Sequence, residues 1–487
     1  MERLLFQLRK ASPLFLFVVL AGVAVLVSFL IANVGEGIAY FILIMVAGLA
    51  VTVAIFKNYR TGFLIMVVWS YTLFEISRLL PFDLPLGALI EVFLLLIFLS
   101  IFIEKYREET PASVWGVFKN PIGYAVLIYC GYALLEMFNP NSTSIGARMA
   151  GLRETLMMIL LFFAAMHVFT TFRFVKFFTK FWLFFALLAA LYGMYQEYVG
   201  VPAYAMRWLY KSPEAYKLAF IWGHLRKWSF LSDISAFGLF MAYSAIVCAV
   251  LALGPFKLKT KIILGISSLI MMVSMGYSGT RTATVMVLVG FAFYVLMTIN
   301  NRRTMLFAIA GIVAFLALMY GPFYSGPVLR MRSTFKGSED ASMNVRDQKR
   351  IRLQPYARTH PIGGGINTAG NLGKRYEPGH PMAGPFDTDS GFLRVALERG
   401  WIGLLLILGL YGTAMCYGAY NYYRVTDAKI KSFYAAYMAA FLAISVAHFA
   451  QDATDQKPIV IIIMSSFAFM IQMIKFEKTE ATKSPLV

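Results

Sequence analysis

Apolar runs long enough to cross a bilayer recur from one end of the chain to the other. A hydrocarbon core of about 30 Å needs roughly 20 helical residues. Fourteen such runs stand out, near 14–32, 37–56, 61–79, 86–103, 121–138, 150–169, 174–196, 233–253, 261–278, 282–299, 304–321, 400–420, 431–450 and 458–474. The expected fold is therefore all-α, a polytopic membrane protein with about 14 transmembrane helices. Two connections, Glu197–Ser232 and Pro322–Ser390, are too long to be turns. They divide the chain into N-terminal helices (1–196), a first long loop (197–232), a middle set of helices (233–321), a second long loop (322–399), and C-terminal helices with a tail (400–487). The opening MERLLFQLRK followed by Leu14–Ala32 is like a signal peptide, but the apolar run is long and Asn33-Val-Gly-Glu36 offers no small-residue cleavage site. It is read as a retained first span.

Composition agrees with lipid as the solvent. Of 487 residues 59% are hydrophobic and 14% charged, more apolar surface than domains of ordinary size can hide from water. Cys130, Cys248 and Cys416 sit far apart inside apolar runs, which gives neither a disulfide framework nor a thiolate metal site. The net charge of +19 is mostly topological. With the N-terminus in the cytoplasm, the inward segments hold 22 basic and 7 acidic residues, while short outward loops such as PFDLP and QDATDQK are acidic or nearly neutral. Both termini are then cytoplasmic and both long loops lie outside. Those loops carry 5 and 10 basic residues, which the topology rule does not ask for. An anionic ligand at the outer face explains them, and so do lipid headgroups or plain solvation.

Ionisable groups within spans are costly, so their depth is informative. Glu75, Arg78, Glu91, Glu136, Arg153, Glu154 and Glu197 all fall in the outward third of their helices. A transporter would more typically place such groups near the midplane. Glu75 and Arg78, one turn apart, can simply pair with each other. His448 and His167, each at a helix end, are read as interfacial residues.

Four polar stretches line up on the outer face. The first runs from Arg226-Lys227 to Gly238, and the second is the tight hairpin Ser278-Gly-Thr-Arg281. The third starts at Arg346 and ends in Arg358-Thr-His360-Pro-Ile-Gly-Gly-Gly365. The fourth, Asp387-Thr-Asp389-Ser-Gly-Phe-Leu-Arg-Val-Ala-Leu-Glu398-Arg-Gly-Trp-Ile-Gly403, is a short amphipathic helix running into the twelfth span.

In this order, and on this side, they resemble the O-antigen ligase and O-antigen polymerase superfamily of bacterial envelope glycosyltransferases. The family pattern is an outer-face Arg before a Ser/Gly-Phe segment, a Ser-Gly-Ser/Thr-Arg hairpin, a large outer loop with a His-Pro-x-x-Gly-x-Gly turn, and a Tyr/Phe-Leu…Glu-x-Gly-x-x-Gly helix. The resemblance covers roughly residues 220–475 and implies a C-type glycosyltransferase fold in the bacterial cytoplasmic (inner) membrane. It further implies transfer of an oligosaccharide from undecaprenyl pyrophosphate to a glycan acceptor at the outer leaflet, with no cofactor, obligatory metal or nucleic acid, and with other polysaccharide assembly proteins as conceivable partners. Arg226, Arg281 and Arg346 match the family's arginines and are the expected pyrophosphate ligands. The chemistry gives an independent reason, because guanidinium forks in a poorly hydrated site stabilise a diphosphate leaving group.

The acceptor hydroxyl needs a base within hydrogen-bond reach. Ligases of the family commonly carry His-x-His-Asn where this chain has Asp387-Thr388-Asp389-Ser390. The candidate base moves from imidazole to Asp389, with Asp387 and His380 beside it in sequence. Asp387 and Asp389 equally fit helix N-capping, and both readings stand. His360 fits a turn that aims the loop over the site, and Lys227 and Arg358 are supporting candidates. Asp387-x-Asp389 echoes a metal–nucleotide site, but nucleotide sugars are absent outside the membrane. Gly363–Lys374 lacks the spacing of a phosphate loop. A glycan polymerase is the leading expectation, with an O-antigen ligase sharing its donor and, from a different class, a flippase or exporter of lipid-linked oligosaccharide as rivals.

Overall fold

The computed structural model describes residues 36–80, 84–107, 115–211, 213–221, 223–335, 351, 353–384 and 388–483, and at residues 36–44, 214 and 478–483 the backbone only. The chain is helical almost throughout. In order come α1 (Glu36–Lys57), α2 (Tyr59–Leu79), α3 (Ala88–Arg107), α4 (Pro121–Leu135), α5 (Ile145–Val168) and α6 (Phe172–Tyr198). The first long loop holds α7 (Ala203–Tyr210), α8 (Pro213–Ala219) and a two-stranded hairpin, β1 (Phe220–Ile221) antiparallel to β2 (His224–Leu225). Then follow α9 (Ile234–Leu253), α10 (Leu258–Ser278), α11 (Arg281–Met297) and α12 (Arg302–Tyr320). The second long loop contributes α13 (Gly326–Ser333), α14 (Gly370–Tyr376) and α15 (Gly391–Glu398), before α16 (Gly400–Arg424), α17 (Ala428–Ala450) and α18 (Ile459–Lys483).

Ten of the described helices are long and apolar enough to cross a membrane, and α11 and the Met45–Lys57 part of α1 are shorter apolar segments. The protein is an all-α polytopic membrane protein. Ten of the expected spans fall on these ten helices; 37–56, 86–103 and 282–299 fall on the helices α1, α3 and α11, which are not among the ten, and the first, 14–32, lies outside the described residues. Short polar side chains set the helix starts by accepting hydrogen bonds from otherwise unpaired N–H groups. Asn120 caps α4 with Pro121 in its first turn, Ser144 caps α5, Thr171 caps α6, and Asp233 caps α9 through Ser235 and Ala236.

The expected outer connections gather at one end of the bundle. There Ser142 Oγ donates to Glu377 (2.7 Å), Arg226 Nε to the Ser278 carbonyl (2.6 Å), and Gln451 Nε2 to Ser235 Oγ (3.3 Å). The expected inner connections meet at the other end, where Arg60 donates to Thr170 Oγ1 (2.8 Å) and Phe172 and Phe256 both pack on Phe433. The two long loops therefore share a face.

Helix α9 forms the centre, with 89% of its apolar window buried against α10, α11 and α17, whereas α12 has 6% buried and stands at the lipid-facing margin. Several buried polar groups inside the bundle are matched with one another, which a medium without water favours. Trp182 Nε1 donates to Tyr437 Oη (3.0 Å), which also meets Thr179 Oγ1 (2.7 Å), and Tyr71 Oη donates to the Trp182 carbonyl (3.0 Å). Glu75 and Arg78 pair at 3.0 Å as their spacing suggests, and Arg78 also donates to the Leu231 and Ser232 carbonyls (2.9 Å for Ser232).

Candidate active site

The Ser278–Arg281 hairpin turns through Gly279, whose φ of +57° is the left-handed conformation glycine adopts without strain. Thr280 N–H donates to Ser278 Oγ (3.1 Å), and Thr280 Oγ1 donates to the Ile234 carbonyl (3.3 Å) at the start of α9. Gly238 makes room for this contact, since a Cβ there would stand 2.5 Å from Ser278 Oγ. Arg281 is thereby fixed as the first residue of α11.

Arg226 converges on the same turn. The β1–β2 hairpin delivers it, its N–H donating to the Ala219 carbonyl (2.9 Å). Its Nε donates to the Ser278 carbonyl (2.6 Å), and its terminal nitrogens reach the Leu218 carbonyl (3.2 Å) and Thr280 Oγ1 (3.3 Å). The structure thus brings together Arg226 and Arg281, which the sequence placed 55 residues apart, and adds Arg330 of α13, whose Nε donates to the Gly279 carbonyl (2.9 Å). Arg330 was hidden among the general basicity of its loop. Lys227 turns elsewhere, its buried ammonium 3.5 Å from Glu197, which also meets His224 Nε2 at 3.0 Å.

The glycines of the third and fourth stretches explain each other. Gly364 N–H donates to the Leu397 carbonyl (2.8 Å), Gly365 N–H to the Glu398 carbonyl (2.9 Å) and Trp401 N–H to the Pro361 carbonyl (2.9 Å). The His360-Pro turn therefore lies backbone against backbone on the α15–α16 junction. Gly400 has φ +62°, and a Cβ there would sit 1.8 Å from the Pro361 carbonyl oxygen. His360 stacks on Tyr356 at 3.9 Å, with Nδ1 3.1 Å from the Tyr356 carbonyl. Arg358 is exposed on the preceding helical turn.

His380 is buried within this loop, against Gly364 and Tyr356, and its Nδ1 accepts the Met382 N–H (3.2 Å). Burial holds its imidazole below the usual range, with Glu377 pulling the other way. Burial would raise Glu377 itself, but hydrogen bonds from Thr143 and Ser142 outweigh it and hold that carboxyl below the usual range. Glu377 so staples the loop to the start of α5.

Asp389 precedes α15, but the cap of that helix is Ser390, whose Oγ accepts the Leu393 N–H (3.3 Å). The capping reading of Asp389 gives way to Ser390. Arg346 and Asp387 lie outside the described residues.

A second polar region was not anticipated as a unit. Between α4, α5, α16 and α18 a cavity of about 520 Å³ runs from Pro85, Arg375 and Tyr376 at the loop end down to Leu410 and Phe467. Its wall carries Glu154, Arg394, Glu398, Arg399, His448 and Asp455. Arg394 holds Asp452 and Asp455 at 2.6 Å each. Arg399 donates to the Tyr129 hydroxyl and lies over that ring at 5.2 Å. Burial pushes the Glu398 carboxyl up to about 7 against the pull of Arg394 and Arg399. Burial would also raise Asp455, but Arg394 and His448 hold it below the ordinary carboxylate range.

His448 corrects its interfacial reading: it is 1% exposed, packed edge-on to Phe392 at 4.8 Å, with Nδ1 accepting the Ala453 N–H (3.2 Å). The missed signal was the spacing of Arg394, Glu398 and Arg399 on one face of an amphipathic helix, facing an Arg153-Glu154 pair set inside a span.

The hairpin, the second loop and the α15–α16 junction all fall within residues 266–408, and that segment matches the family model described as O-antigen ligase. That match supports the O-antigen ligase and polymerase superfamily for this segment of the chain. No curated protein matches the chain. The family implies a glycan-transferring enzyme, and with the apolar helices it fits a multi-pass membrane protein. Arg281 and Arg330 lie inside the matched segment, while Arg226 and the Glu154, His448 and Asp455 side of the cavity lie outside it.

Proposed function

We propose that the protein is a glycan polymerase of the O-antigen polymerase type. It moves an oligosaccharide from undecaprenyl pyrophosphate onto a glycan acceptor at the outer leaflet of a bacterial cytoplasmic membrane, with both termini in the cytoplasm. The observation that carries this reading is the convergence of Arg226 and Arg330 on the hairpin that launches Arg281. Carbonyl contacts aim the Arg226 and Arg330 guanidiniums around the hairpin, and guanidiniums positioned in this way suit a diphosphate whose charge grows as it leaves. Arg346 joins this clamp on the family resemblance alone.

In the step proposed, the acceptor hydroxyl oxygen attacks the anomeric carbon of the donor sugar. A new glycosidic C–O bond forms, the C–O bond to the pyrophosphate breaks, and undecaprenyl pyrophosphate departs with the electron pair. The hydroxyl proton passes to Asp389, which stands one residue before the Ser390 cap of α15. His380 is the alternative acceptor of that proton, its ring held neutral by burial, and it would take the proton at Nδ1 in place of the Met382 N–H contact; Asp387 is a further candidate by its place in the motif.

The description of the matching family favours a second reading, a ligase that moves finished glycan onto lipid A core or protein. The chain-length profile of carrier-linked glycan in a deletion strain separates the two. Loss of a polymerase leaves single repeat units on the carrier, and loss of a ligase leaves unattached long chains. An unchanged profile sinks both.

A further inference from the structure

The cavity beneath α15 differs chemically from the arginine hairpin. At about 520 Å³ it lies within the size range of ligand pockets, roughly 300–1,000 Å³. Its cations alternate with carboxylates: Arg394 sits between Asp452 and Asp455, and Arg153 meets Glu91 at 2.6 Å. Two wall atoms, Glu398 Oε1 and Arg399 Nε, are buried with no hydrogen-bond partner among the described residues, and Glu398 as a residue is 4% exposed. Leaving such groups unpaired is expensive, so the wall is suited to a ligand that both donates and accepts.

A diphosphate is a poor fit, because it would face Glu154, Glu398 and Asp455 together. A hydrocarbon tail fits the lower part, around Leu410 and Phe467, but would leave Glu398 and Arg399 unsatisfied. A sugar ring meets both demands. Its hydroxyls donate to carboxylates and accept from guanidinium, while its C–H faces pack on the apolar floor.

We propose that this cavity is the sugar subsite that holds the terminal residue of the acceptor glycan, with Glu398 and Arg399 as its hydrogen-bonding pair. The assignment rests on the glycan-transfer reading above and adds to it a place for the acceptor, separate from the arginines that hold the donor diphosphate. Asp389 and Glu398 stand at opposite ends of α15, so one short helix links the proposed base to the acceptor's anchor.

The test uses the purified full chain in lipid nanodiscs and two probes, inorganic pyrophosphate and the oligosaccharide released from the lipid carrier by mild acid, each followed by calorimetry. Glu398→Gln keeps shape and removes charge, and Ala133→Leu narrows the cavity from α4. Each is expected to weaken oligosaccharide binding by about tenfold or more, while pyrophosphate binding stays as in the unaltered protein. Arg281→Ala is expected to do the reverse. Well-folded variants at both positions that bind the oligosaccharide normally would overturn the proposal. So would a loss of affinity for undecaprenyl pyrophosphate in Ala133→Leu with oligosaccharide binding intact, which would mark the cavity as a site for the lipid tail. If the unaltered protein binds pyrophosphate but not the oligosaccharide, the subsite falls and the transfer reading stands; if it binds neither, both fall.

Discussion

The two arginine-bearing regions at the loop end of the bundle differ in the partners described for their guanidiniums. At the Ser278–Arg281 hairpin, Arg226 and Arg330 are fixed through main-chain carbonyls and the Thr280 hydroxyl. In the cavity, Arg394 is fixed by two carboxylates and Arg399 by a tyrosine. A carbonyl directs a guanidinium and leaves its charge in play, whereas a carboxylate cancels it. On the proposed reading, the same residue type serves a diphosphate in one place and a sugar in the other. Counting arginines does not distinguish the two; their anchors do.

The contrast breaks most directly at Arg281. Arg281→Ala is expected to lower polymer formation by about 10²–10³-fold with the protein still inserted and stable, as for loss of a donor that meets developing charge. Unchanged polymer length and yield at normal protein levels would remove the hairpin from the chemistry. Next is Asp389→Asn, expected to cost about 10²-fold in transfer rate if Asp389 takes the acceptor proton. Its partner variant, Ser390→Ala, is expected to cost only about 1 kcal/mol of stability by loss of the α15 cap, read as a lowered melting temperature in detergent. If Ser390→Ala proved the more damaging to catalysis, Asp389 would lose its assigned role.

Acidity sharpens the other side of the comparison. Glu398 has its carboxyl raised from the ordinary value of 4.5 to about 7, so between those two values the folded protein binds a proton that the unfolded chain has released. Stability therefore falls as pH rises through that window, by up to about 3 kcal/mol, and levels off above it. Glu398→Gln should flatten that part of the pH–melting profile. An unaltered profile would mean that Glu398 is ionised as in water. The smallest expected effect is at His360, where His360→Gln removes a ring stacked on Tyr356 and should shift melting slightly while leaving transfer near normal. A catalytic collapse there would overturn its structural role.

The periodicity of the chain foretold its helices well, because in lipid the length of an apolar run and its polar breaks leave few alternatives. The convergence of Arg226 on Arg281 was also legible, through motif order and sidedness. The cavity was not. Glu154, Arg394, His448 and Asp455 come from four segments spread over three hundred residues, and nothing local in a helix says which neighbour it will face. QDATDQK was visible as an outer loop, but its aspartates became informative only when α15 folded inward to offer them Arg394. At Asp389 the competing signals were one residue apart, and the helix took its cap from Ser390.

The staple at Glu377 bears on how the enzyme can be divided. Ser142 and Thr143, at the mouth of α5, hold that carboxylate, and Asn139 and Asn141 reach across to the Ile362 and Gly363 carbonyls. The second loop is thus moored to the N-terminal helices as firmly as to its own α15–α16 junction. Residues 266–408 read as a self-contained signature, yet cut out as a fragment they would leave their moorings and most of the cavity wall behind. The recognisable segment is not a portable module, and chimaeras that graft it onto foreign N-terminal helices should fail unless residues 139–154 travel with it.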